Sequence, residues 1–201
     1  MEDEMTTSLR WTSADLELLP DDGKRYEIID GELYVSRMPT WAHQAVCFEV
    51  ARALQDWSDA TGVGSVGMTP GLVFAEDDDV APDLIWASKR RLAEALGHDG
   101  HLHGPPELVV EVLSPGASNR RRDLEVKLKL YSRRGVDEYW IADWPSRTMT
   151  VYRRDGATLE LAATLGADDL LGSPLLPGFS CRMAKVFAGV PEDATDRSGA
   201  P

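Results

Sequence analysis

Cationic side chains are scarce: 21 Lys and Arg face 34 Asp and Glu, for a formal net charge of −13. Backbone affinity for nucleic acid comes from Lys and Arg, so this deficit argues against a protein that coats DNA without discrimination. A local basic surface is still compatible with it, and clustered acids are what a divalent-metal site needs. Cysteine is nearly absent. Cys47 and Cys181 lie far apart and have no CxxC partner, which speaks against a cysteine-based metal site or a disulfide framework. Both are expected as small buried hydrophobes. No apolar run approaches the ~20 residues needed to cross a bilayer, so no membrane partner is expected. The first ten residues are acidic and polar, unlike an export signal, and the expected location is cytoplasmic. No internal repeat is visible. A chain of 201 residues, 43% hydrophobic and 27% charged, suits one globular domain.

The pattern of what is present predicts alternating helices and strands. Residues 1–10 read as a flexible start and 191–201 as a disordered polar tail, with a single domain over 11–190. Ser13 is placed to cap a short helix over 14–19 that Pro20 stops. Residues 25–36 form two β-rich runs around Asp30-Gly31, a hairpin signal. Apolar residues at helical spacing predict a helix over 40–60, with Trp41 and Trp57 at a helix-to-sheet interface. Short strands follow at 63–68 and 72–75, and Asp77–Asp79 reads as a solvated hairpin tip. A strand at 83–87 leads to a helix at 89–96, and 97–106 is a loop. The apolar run 108–113 fits a strand covered on both faces. A basic helix over about 120–134 stops at Gly135, a strand follows at 136–142, and 149–163 forms a hairpin around Asp155-Gly156. The fold class is α/β (α+β) with a central mixed sheet.

Two acids stand where acids are costly. Asp83 opens a strand after Pro82, and Glu111 interrupts the apolar run 109–113. A buried carboxylate needs a metal or a cation beside it. Two on neighbouring strands would offer oxygen ligands to one Mg²⁺. The plain alternatives are that Asp83 caps a turn and that Glu111 pairs with a buried arginine. Downstream, Asp123, Lys127 and Tyr131 share one helical face at i, i+4 spacing, on a helix that follows the Glu111 strand and packs back over the sheet. Lys127 can then reach the carboxylates, where an amine can stabilise charge on a phosphorane. Its alternative is a weak surface pair with Asp123.

Five segments in order carry a resemblance. They are Tyr26-Glu27 through Asp30-Gly31, Pro82-Asp83, Glu107 through Glu111 to Ser114-Pro115, Arg122-Asp123 with Lys127 and Tyr131, and Gly135 through Tyr139-Trp140 to Asp143. Together they resemble the restriction-endonuclease-like family often called Uma-two, similar in fold to the PD-(D/E)XK nucleases, over about residues 26–152. The resemblance implies a restriction-endonuclease-like mixed sheet flanked by helices, a Mg²⁺ (or Mn²⁺) site and a DNA or RNA substrate. It implies that Asp83 and Glu111 are the metal-binding acids and that Glu27 is an acid completing the site. Two residues past Glu111, where the parent pattern has lysine, stands Leu113, so the resemblance points to Lys127 for the catalytic cation. Glu27 has its own plain reading, as the polar face of a hairpin strand beside Lys24 and Arg25. Restriction-type nucleases cut two strands with two sites, which suggests a homodimer.

The basic helix is the candidate nucleic-acid contact, through Arg120, Arg121, Arg122 and Lys129. Over residues 119–134 seven cations (Arg120, Arg121, Arg122, Lys127, Lys129, Arg133, Arg134) face two acids (Asp123, Glu125), a local +5. Such a patch can neutralise phosphates; a solvated face of intrahelical ion pairs is the alternative. His98, His101 and His103 match no zinc spacing and read as solvated loop residues, with His43 a polar helix position, rather than a catalytic base, that could approach the site. Three functions therefore compete: a metal-dependent endonuclease, a catalytically inactive nuclease-like binding or regulatory protein, and a hydrolase of small phosphoesters.

Overall fold

Hairpin chemistry starts the fold. Strands β1 (Arg25–Ile29) and β2 (Glu32–Ser36) pair through Asp30 and Gly31, whose φ angles of 53° and 75° are those of a type I′ turn. The computed structural model describes residues 9–114 and 116–192, so the expected loose ends lie for the most part outside the described residues. Thr40 accepts the His43 N–H and caps α2 (Trp41–Thr61), which Gly62 ends in the left-handed conformation. Next come β3 (Gly64–Met68), β4 (Leu72–Ala75), β5 (Asp78–Val80), β6 (Leu84–Ser88) and the short α3 (Lys89–Ala95). After the loop 97–106 comes β7 (Leu108–Val112), buried at every position.

The basic helix is one rod with a defect: α4 (Ala117–Arg121), a π-helical turn (Arg122–Val126) and α5 (Lys127–Arg134). Gly135 ends it with φ of 89°. This rod is the crossover between β7 and the parallel strand β8 (Glu138–Asp143). The hairpin β9 (Thr148–Asp155) and β10 (Thr158–Leu165) follows, then β11 (Leu170–Leu171), β12 (Cys181–Arg182) and α6 (Met183–Val186).

Six strands form a mixed sheet in the order β10-β9-β8-β7-β6-β3, and β2-β1-β5-β4 form a smaller one. Because strand side chains alternate between faces, each face of the large sheet has its own core. On one, Val46, Val50 and Leu54 of α2 pack on Trp86, Val110 and Trp140. On the other, Leu130 and Tyr131 of α5 pack on Ile85, Val109 and Ile141, with Ile29 and Val80 of the small sheet. Glu111 shares the face of Val109. The acid-bearing side therefore lies under the rod and the small sheet.

Three local expectations are corrected. The first helix is a single turn, Ser13–Leu16, capped by Thr12 with Asp15 rather than by Ser13. Asp78 is fully buried rather than a solvated tip, because Arg133 and Arg134 reach it from α5 and it accepts the Asp30 N–H. Trp41 is 77% exposed rather than packed on the sheet. It is the first residue of α2 and lines a shallow surface concavity with Ala45 and Phe48. Both cysteines are buried and free.

Gly64 lets β3 sit flat on β6. A Cβ there would come within 2.5 Å of the Ala87 carbonyl oxygen and of the Trp86 ring. Gly64→Ala is expected to destabilise the protein by ~1–3 kcal/mol, read as a lower urea midpoint at unchanged slope.

Candidate active site

Four strands or helices each deliver one acid to the same buried place. The β6/β7 register pairs Leu84 with Val110, so one residue further along Asp83 stands across from Glu111. β1 brings Glu27, and the π-helical turn brings Asp123; all four are buried. The extra residue per turn of a π-helix rotates the rod so that Arg122, Asp123 and Lys127 all lie inside it. Lys127 is completely buried, with Nζ 2.8 Å from Glu27 Oε1 and 2.8 Å from Glu111 Oε1. The Tyr131 hydroxyl donates to the same Glu111 oxygen at 3.0 Å. Leu113, where a lysine stands in the parent pattern, is buried in the apolar core.

Asp83 is held by three donors. Arg25 Nη1 reaches Oδ1 at 3.0 Å, while the Val112 N–H and His43 Nε2 reach Oδ2 at 2.9 and 3.1 Å. His43 in turn sits with Nδ1 3.6 Å from Cys47 Sγ. These three residues place a ring nitrogen, a sulfur and a carboxylate oxygen within 4.8 Å of one another, a geometry that alone would admit a softer metal. Since the imidazole offers one nitrogen to each neighbour, we read them as a hydrogen-bonded chain that fixes the Asp83 carboxylate. Burial raises the Cys47 thiol pKa far above the ordinary range, consistent with a neutral S–H.

Charge is unbalanced here. Among the described residues, Glu27, Asp83, Glu111 and Asp123 pair with three permanent cations, Arg25, Arg122 and Lys127. Burial and its neighbours shift each group. Desolvation works against the Asp83 charge, but His43 and Arg25 overcome it and hold the carboxyl well below the ordinary range. Glu27 likewise lies low because Lys127 and Arg122 outweigh its burial. Glu111 does not: burial pushes its carboxyl up to about 8, Lys127 opposing and the Asp83, Asp123 and Glu27 carboxylates adding to the rise. Asp123 is raised as well, its burial outweighing Lys127 and Arg122, so the excess negative charge is shared by Glu111 and Asp123.

Among the acids, Asp83 and Glu111 are the two that could offer oxygens to a divalent cation; no three of the four acids bring ligand atoms within 4.8 Å of one another among the described residues. Asp83 and Glu111 line a cavity of about 20 Å³ together with Asp123, Arg25, Arg122 and His43, room for roughly one water-sized sphere. Glu27 Oε2 is buried without a hydrogen-bond partner, and the acid donors are all oxygen, the ligand type of hard cations.

The four residues expected to carry chemistry, Glu27, Asp83, Glu111 and Lys127, are brought together. The expected nucleic-acid contacts are placed differently. Arg122 is buried against Asp123 and Ser36. Arg120 pairs with Asp143 at 3.0 Å and Arg121 with Glu125 at 3.2 Å, while Lys129 is exposed. Sequence reasoning missed Arg25 as a partner of Asp83, and read His43 as a polar helix position that could approach the site, as it does. Each touches Asp83 from a different element, a proximity that no spacing in the chain encodes.

Comparison with known proteins agrees with this architecture. The family model of Uma2, described as "Putative restriction endonuclease", matches residues 13–184. Among solved structures, a putative nuclease belonging to DUF820 from Anabaena variabilis ATCC 29413 superposes with a TM-score of 0.70. It is 18% identical, over 89% of this chain and 98% of that one, a likeness of fold. No curated protein matches the chain. Among the described residues, no helix is long and apolar enough to cross a membrane.

Glu111 makes stability pH-dependent. Unfolded, its carboxyl titrates near 4.5; folded, near 8. Between these values the folded state keeps a proton that the unfolded state has lost, so the contribution of Glu111 is full below about 4.5 and disappears as pH rises through about 8. Urea midpoints of chelator-treated protein are expected to fall over that window. In Glu111→Gln, which cannot titrate, the slope should flatten.

Proposed function

The chain belongs to the Uma2 family, and on that premise we propose that it is a Mg²⁺- or Mn²⁺-dependent endonuclease that hydrolyses phosphodiester bonds in DNA. The observation that supports this most is the full burial of Lys127 between Glu27 and Glu111, beside Asp83 and a surplus of negative charge. Folding gains little from such an arrangement, since burying ions costs several kcal/mol each. A reaction that passes through a dianionic phosphorane uses it well.

In this reading Asp83 and Glu111 would hold the metal. When bound, a divalent ion polarises the phosphate and lowers the pKa of a coordinated water. The side chains supply the rest. The hydrogen bonds from Val112 and His43 hold Asp83 in one orientation. Lys127 spends two N–H groups on Glu27 and Glu111 and has a third to offer an attacking water or a phosphoryl oxygen. Arg25 and Arg122 line the cavity and attract the phosphate.

A second reading, a catalytically inactive nuclease-like binding or regulatory protein, has its own support. Both Asp83 oxygens already accept hydrogen bonds, so an ion must share them.

Incubation with supercoiled and linear DNA separates the two. Cleavage is expected with Mg²⁺ or Mn²⁺ and none with chelator, and Asp83→Asn and Glu111→Gln should lose about 10²–10³-fold while circular dichroism stays unchanged. Binding without cleavage in any divalent ion favours the second reading, and equal cleavage by wild type and Asp83→Asn would place the activity elsewhere. Binding of Mg²⁺ should also show as stability. At ~100 times its Kd the ion adds ~2.7 kcal/mol, about 5–10 °C in Tm, near pH 8, and much less near pH 5, where a proton occupies Glu111.

A further inference from the structure

The space between the acids is too small for a phosphate group. At about 20 Å³ it admits roughly one water-sized sphere, so a phosphodiester under attack stands at its mouth and the strand continues outside. The mouth opens into a groove of about 470 Å³; Ser36, Arg37, Pro39 and Ser114 line both spaces. We propose that this groove seats the phosphate adjoining the one being cut, with Arg37 as its cation, which makes Arg37 a substrate-binding residue; this rests on the nuclease reading above.

Arg37 is both placed and available for that role. It directly follows β2 and is exposed, and its side chain makes no ion pair or hydrogen bond among the described residues. The other two arginines at the acid cavity are committed, Arg25 to Asp83 and Arg122 to Asp123. The remaining described cations without an ion pair, Lys89, Lys129, Arg147, Arg182 and Lys185, line neither space.

The rest of the groove wall supplies donors. Ser36 Oγ accepts from Arg122, and Thr40 Oγ1 accepts from the His43 N–H at 3.3 Å. A hydroxyl that accepts still has its own hydrogen to give. Ser114 and Ser118 add two more hydroxyls, and no carboxylate stands among the described lining residues. In a chain with 34 Asp and Glu against 21 Lys and Arg, a groove with an arginine, four hydroxyls and no acid is a local anion-binding surface. A guanidinium beside hydroxyl donors matches the oxygens of a phosphate, and its charge-assisted hydrogen bonds are the strong ones.

The acids behind the mouth make this cation necessary. Four buried carboxylates pair there with three cations, a surplus that repels a polyanion unless a positive group stands in front of it.

The test is the salt dependence of duplex DNA binding by the full chain, read by fluorescence anisotropy in chelator from ~50 to ~200 mM salt. Each phosphate contact contributes about 0.9 to the slope of log K against log salt. Arg37→Ala is expected to lower that slope by ~0.9. It should weaken binding about ten-fold at the low-salt end, equally for unrelated sequences. Arg37→Lys should keep the slope. Lys89→Ala, at the far end of β6 from Asp83, should bind as wild type. The urea midpoint of Arg37→Ala should stay that of wild type, since the side chain supports nothing in the fold. Wild-type slope and affinity in Arg37→Ala, an equal loss in Lys89→Ala, a fallen urea midpoint in Arg37→Ala, or no DNA binding by the wild type at low salt overturns the inference. Hydrolysis of bis(p-nitrophenyl) phosphate with Mn²⁺, a diester with no neighbouring phosphate, separates the two readings, and wild type and Arg37→Ala are expected to hydrolyse it equally. Equal hydrolysis with DNA binding indifferent to Arg37 removes only the groove. Arg37-dependent DNA binding with no hydrolysis of any diester removes only the nuclease.

Discussion

An ammonium group with no access to water is the constraint around which the site is organised. Lys127 could not be buried by apolar packing alone; it needs the Glu27 and Glu111 oxygens at 2.8 Å on two sides. Those acids come from different sheets, β1 of the small one and β7 of the large one. The lysine is therefore also the joint between them, and the rod that carries it is held against both. Removing one partner of such a cluster leaves a buried charge uncompensated, at ~3–5 kcal/mol. The site and the packing of the two sheets are thus one structure.

The same rod explains where the arginines went. A run of cations on a helix suggests a phosphate-binding face, yet in this fold that helix lies over two acid-bearing strands. Arg122 is drawn inward to Asp123, and Arg133 and Arg134 clamp Asp78 of the small sheet. Much of the apparent +5 is spent holding the molecule together. Net charge along a segment gives no sign of this, because partners such as Asp78 and Asp143 lie far away in sequence.

The fold and the acids of the site were legible in the sequence for reasons that are local. Asp30-Gly31 demands a particular turn, the apolar run around Glu111 demands a covered strand, and an acid in such a run demands a cation. The periodicity of Asp123, Lys127 and Tyr131 left a surface pair open, and the family resemblance was needed to point to Lys127. What escaped was of two kinds. The π-helical turn inserts a residue without a sequence signal, so Arg122 was assigned to the outer face. Arg25 and His43 meet Asp83 only through tertiary packing. Trp41 escaped for the opposite reason: helical periodicity assigns an apolar residue to the core, but Trp41, the first residue of α2, is exposed.

Leu113 shows that the ammonium of this cluster comes from another element. A lysine two residues after the acid and one sixteen residues later can bring an ammonium to the same carboxylate. The first emerges from the strand on the same face; the second reaches down from the crossover rod. Moving the amine to the rod frees position 113 for the core, where Leu113 joins Val109 and Ile141. It also makes the position of the amine depend on the π-helical turn, since an ordinary helix would rotate Arg122 out of the site. The constraint is therefore spatial: an amine within hydrogen-bond reach of two strand-borne carboxylates. Sequence patterns that fix its position along the chain describe one way to meet that geometry, and Lys127 reaches Glu27 and Glu111 by another.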